Sequence, residues 1–211
     1  MNLPNALTVA RIAATPLIAV LPFADSWPLR LTAFVLFTIA AITDYIDGRL
    51  ARSRKQETDL GRLLDPLADK ALLVGTFVPM YMLAPRFPFE TPFGNVGLSA
   101  WIVGIVIGRE VFMTIFRQAA KRRGVVIAAI GVAKWKTAFQ LVWQGSAYFW
   151  FFAATLAAVR GWTDDAAWHG FALFNGLVGT FTMIGAVVLT LFSLAIYLRS
   201  FGRLFATSPS R

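Results

Sequence analysis

The chain contains no cysteine. Disulfides, thiolate metal sites and cysteine nucleophiles are therefore excluded. It has a single histidine, His169, in a stretch read below as an outer loop, so imidazole catalysis is not expected. Charge is also scarce, at 15% of residues against 57% hydrophobic. Acids are the scarcer charge, 11 Asp and Glu against 20 Lys and Arg. Such a balance excludes an ordinary soluble domain and points to a membrane protein with several spans. The opening MNLPNALTVARIAATP has neither a basic region before its apolar stretch nor a small-residue cleavage site. It is expected to be retained, not removed as a signal peptide.

What the chain has in abundance is long apolar runs. At about 20 apolar residues per span, six spans are expected, near 5–23, 30–50, 62–84, 97–119, 134–159 and 170–198. No internal repeat appears, and no loop is long enough for a second domain. Residues 1–211 are expected to form one all-α, polytopic bundle of six transmembrane helices. Alternate threading leaves only Arg30, Arg86 and Arg160 of the basic residues on one side, with Asp25, Glu90, Asp164 and Asp165. The side rich in Lys and Arg, with both termini, is expected to be cytoplasmic, at the cell (inner) membrane. The net charge of +9 is thus an orientation signal, not a nucleic-acid patch. Gly104, Gly108, Gly131, Gly176, Gly179 and Gly185 are expected to mark close helix contacts. Pro66 is expected in the first turn of a helix that begins near Leu63, and Pro79–Pro92 in a proline-rich hairpin.

Against this background four aspartates are conspicuous: Asp44, Asp47, Asp65 and Asp69, within TDYIDGRLARSRKQETDLGRLLDPLADK. A carboxylate costs about 2.5–3.5 kcal/mol at the centre of a membrane helix, so four unpaired ones oppose insertion by about 10 kcal/mol or more. Helix rise sets Asp44 about 21 Å from Arg30, and Asp69 about 24 Å from Pro85. Both distances fall short of the ~30 Å hydrocarbon thickness, so the pairs lie at similar depth. Arg109, about 18 Å of helix after Gly97, reaches the same layer. A polar cavity open to the cytoplasm follows. Asp44 and Asp47 are spaced i, i+3, and Asp65 and Asp69 i, i+4, so each pair shares a helix face. Four carboxylates converging from two neighbouring helices suit hard divalent cations, and a two-metal site suits phosphoryl transfer. Gly48 leaves room for a ligand at the backbone, and the planar fork of Arg52 suits a phosphate. An ion-coupled transporter would also carry intramembrane carboxylates.

The run reads D-x2-D-G-x2-A-R-x8-G-x3-D-x3-D, filled by Asp44, Asp47, Gly48, Ala51, Arg52, Gly61, Asp65 and Asp69. It resembles the signature of the CDP-alcohol phosphotransferase family at every position. The resemblance implies a homodimer of six-helix protomers and a CDP-linked donor. It implies Mg²⁺ or Mn²⁺, two ions, held by Asp44, Asp47, Asp65 and Asp69, with Asp69 also the base toward the acceptor hydroxyl. It sets Gly48, Arg52 and Thr58 at the CDP-diacylglycerol head group; Asn5, Thr8 and Arg11 either line the same nucleotide pocket or cap and anchor an interfacial helix. The stretches NLPNALTVARI, GREVFMTIFRQAAKRRGVVIAA and KWKTAFQ resemble the branch that uses sn-glycerol 3-phosphate as acceptor. Arg109, Arg117, Lys134 and Lys136 are then the candidates for its phosphate. Phosphatidylglycerol or inositol phosphate as acceptor is the alternative within the family.

Overall fold

The computed structural model describes residues 3–54, 59–125 and 131–201, with side chains at all of these except 3–4, 45–54, 59–63, 65, 132–133 and 201. The chain is mostly helical: α1 Leu3–Val20, α2 Trp27–Arg54, α3 Asp59–Leu83, α4 Ala100–Arg122, α5 Gly131–Arg160 and α6 Ala166–Phe201. Three stretches are long and apolar enough to cross a membrane by themselves: Asn5–Phe23, Trp27–Asp44 and Ala166–Ser200. The protein is a membrane protein. Helix α5 packs most extensively on α6 and α2, and α1 packs on α3 and α2. Helix α4 lies against α6 and α3. Phe77, Trp143, Tyr148 and Phe37 form the centre of the core, with Trp143 edge-on to Phe77 and Tyr148 stacked on Phe37.

The fold is not purely helical. An antiparallel hairpin, β1 Phe89–Thr91 and β2 Gly94–Val96, pairs Phe89 with Val96 and turns at Gly94, whose φ is 111°. It docks on α6, where a Cβ on Gly176 would collide with the Glu90 backbone and one on Gly179 with the Phe89 ring. Gly185 admits Phe139 of α5 in the same way. Gly104, Gly108 and Gly131 meet nothing within 4 Å, so those three do not mark close contacts among the described residues.

The prolines also differ from expectation. Helix α3 begins at Asp59, before Leu63, so Pro66 lies in the helix interior, as does Pro79. A proline inside a helix leaves the carbonyl four residues earlier without its donor. For Pro79 that carbonyl is Gly75, and for Pro22, just past α1, it is Ile18. The Tyr148 hydroxyl lies 3.3 Å from the Gly75 oxygen and 3.2 Å from the Ile18 oxygen. One side chain of α5 thus serves both proline-freed carbonyls.

The far end of α2 is held by Arg30, 1% exposed. Its Nε donates to the Pro22 carbonyl at 2.9 Å and Nη2 to Asp25 at 3.1 Å. Nη1 donates to Thr155. Its guanidinium lies 4.7 Å from the centre of the Phe87 ring.

Candidate active site

At the other end of α2, three helices converge on charge. Arg11 of α1 is buried, and its Nη1 pairs with Oδ1 of Asp44 on α2 and, at 3.4 Å, with Oδ1 of Asp69 on α3. Asp44 and Asp69 are themselves open, with side chains 51% and 60% exposed. One face of each carboxylate is neutralised from below while the rest stays available to a ligand. Asn5 and Thr8 are buried on α1 before Arg11. Helical spacing keeps these three on one face.

Asp44 and Asp69 line a cavity of about 190 Å³. The same cavity is lined by Lys136, Gln140 and Gln144 of α5 and by Glu110 of α4. Glu110 Oε1 accepts from Arg109 Nη1 at 2.8 Å and from Lys136 Nζ. Arg109 is buried and also donates from Nη2 to Ser193 on α6, at 3.2 Å. Two buried cations therefore share one carboxylate.

The other sequence candidates fall elsewhere. Lys134 is exposed and does not line the cavity. Arg117 is turned to α6, where Nη2 donates to the Tyr197 hydroxyl at 3.2 Å and the guanidinium stands 5.6 Å from the ring centre. The backbone of α2 runs helically through Asp47, Gly48 and Arg52, and that of α3 through Asp65, so the paired spacings hold. The side chains of Asp47, Arg52 and Asp65, and the whole of Thr58, lie outside the described residues. Among the described residues no cluster of three or more metal-ligating side chains occurs. The donor chemistry of Asp44 and Asp69 still fits a hard divalent ion: two open carboxylates that already converge on one cationic group.

Arg11, expected with Asn5 and Thr8 either to line the nucleotide pocket or to anchor an interfacial helix, instead pairs with Asp44 and Asp69, and Glu110 was not among the candidates for the site. The signal for Arg11 was its register with Asn5 and Thr8. The signal for Glu110 was an acid in an apolar stretch beside Arg109.

A family model described as CDP-alcohol phosphatidyltransferase matches residues 1–192. The chain belongs to this family. Among its relatives is a CDP-diacylglycerol–glycerol-3-phosphate 3-phosphatidyltransferase of Cereibacter sphaeroides, 36% identical over 67% of this chain and 60% of the relative. A chloroplastic/mitochondrial enzyme of the same name from Arabidopsis thaliana is 35% identical over 67% of this chain and 48% of its own length. A CMP-forming cardiolipin synthase of Oryza sativa is 36% identical over 67% of this chain and 44% of its length. The chain thus spans roughly half the length of these relatives.

Proposed function

We propose that the protein transfers the phosphatidyl group of CDP-diacylglycerol to sn-glycerol 3-phosphate, giving phosphatidylglycerophosphate and CMP. The observation that carries this reading is the shared cavity, lined by Asp69 and by Lys136, with Arg109 joined to Lys136 through Glu110. A base and a phosphate anchor in one small space suit an acceptor with a hydroxyl at one end and a phosphate at the other. The names of the Cereibacter and Arabidopsis relatives agree with the choice.

Asp69 takes the proton of the acceptor's 1-hydroxyl. The oxygen attacks the phosphorus that bears diacylglycerol, the bond from that phosphorus to the CMP oxygen breaks, and CMP leaves. Lys136 holds the acceptor phosphate, and Glu110 keeps Lys136 and Arg109 together until it arrives. The bound divalent ions, Mg²⁺ or Mn²⁺, would be held by Asp44, Asp47, Asp65 and Asp69 and would neutralise the diphosphate. Gly48, Arg52, Thr58, Asn5 and Thr8 are assigned to the donor head group. The six helices are read as six spans in a homodimer. The basic end, with both termini and the cavity, is read as cytoplasmic at the cell membrane.

Cardiolipin synthesis is the second reading, favoured by the rice relative. The test is purified protein with CDP-diacylglycerol, Mg²⁺ and each acceptor in turn, scored by CMP release. Turnover with glycerol 3-phosphate is expected. Turnover with phosphatidylglycerol alone would replace the first reading with the second.

A further inference from the structure

Helix α5 presents a polar stripe to the interior: Lys136, Gln140, Gln144 and Tyr148, four residues apart and all buried. Three have their partners. Lys136 donates to Glu110, Gln144 Nε2 donates to Thr76 Oγ1 at 2.6 Å, and Tyr148 meets the two freed carbonyls. Gln140 stands apart. It is 7% exposed and lines the cavity, yet it has no hydrogen-bond partner among the described residues. Its amide is not among the sealed, unpartnered polar groups but opens into the cavity, so it is available to something that enters there.

We propose that Gln140 binds the acceptor's second hydroxyl, the one not attacked, and is a specificity-determining residue for a polyol phosphate. The inference rests on the glycerol 3-phosphate reading above. Gln140 lies one turn, about 6 Å along α5, from Lys136. With the phosphate at Lys136 and the 1-hydroxyl at Asp69, the 2-hydroxyl is the one polar group of the acceptor left without a partner. A hydroxyl both donates and accepts, and so does a carboxamide. A phosphate would use only the amide's NH₂ and leave its carbonyl unmet. Gln144 is committed to Thr76, so Gln140 is the amide available.

The experiment compares kcat/KM for glycerol 3-phosphate and for its 2-deoxy analogue, 3-hydroxypropyl phosphate. Wild-type protein is expected to prefer glycerol 3-phosphate by about tenfold or more, since a site built to bond a hydroxyl disfavours the analogue without it. Gln140→Met keeps length and removes the amide. It is expected to erase the preference through loss with glycerol 3-phosphate, and Gln140→Asn to restore part of it. A packing defect lowers both acceptors together and leaves the ratio in place. A ratio unmoved in Gln140→Met, or no preference in the wild type, would overturn the proposal alone. Wild-type protein inert toward both acceptors but active with another would overturn the functional reading and this inference with it.

Discussion

Asp69 and Lys136 line the same cavity and are asked for different things. Asp69→Asn keeps a polar oxygen but cannot accept a proton. It is expected to retain CDP-diacylglycerol binding and lose turnover by about 10²–10⁴-fold, the usual worth of general-base catalysis. Binding of the donor lipid measured beside CMP release checks this, and near-normal turnover would remove Asp69 from the role. Lys136→Met is expected to raise KM for the acceptor by about 10-fold or more, as loss of a charge-assisted bond does, and to leave donor KM in place. Lys134→Met, at an exposed position, is expected to change acceptor KM little. Equal effects of the two would reject the distinction. The sequence left these lysines as alternatives, because both are basic and only tertiary packing decides which one faces the cavity. It picked out the aspartates for the opposite reason: their spacing is local and their cost in an apolar run is large. Glu110 escaped because its part in the site depends on Lys136, which comes from another helix.

Tyr148 ties three helices through two carbonyls that proline leaves without a donor. Tyr148→Phe keeps the ring stacked on Phe37 and removes that bond. It is expected to destabilise the protein by about 1 kcal/mol, in line with interhelical hydrogen bonds in membranes. A lowered thermal midpoint in detergent is the measurement, and an unchanged midpoint would mean the carbonyls are served otherwise. The apolar runs made the helices readable, since each is a long uniform stretch. The ends were less so: α2 continues to Arg54 and α3 begins at Asp59, because charged side chains there extend helices beyond the apolar run. Pro79 reads as a loop in sequence, yet the helix passes through it because a distant hydroxyl meets the freed carbonyl. The hairpin expected at Pro79–Pro92 lies later, at Phe89–Val96, because strands of three residues carry no readable alternation to place it.

Over the whole molecule, charge sorts by end. Arg30, Asp25 and Arg86 gather at one end, and the aspartate cavity lies toward the other. The absence of native cysteine makes this testable by single-cysteine labelling. Lys121→Cys, at the end of α4, and Asp164→Cys, between α5 and α6, are expected to react with an impermeant maleimide from opposite sides of the membrane. Labelling of both from one side would contradict the six-span reading.

The bridge from Arg11 to Asp44 and Asp69 bears on how the chain is made. Helix α1 leaves the ribosome before α2 and α3. Each later helix brings one carboxylate to a guanidinium carried by the first. Helix order along the chain thus becomes an order of charge compensation, in which the counter-ion precedes the acids it pairs with.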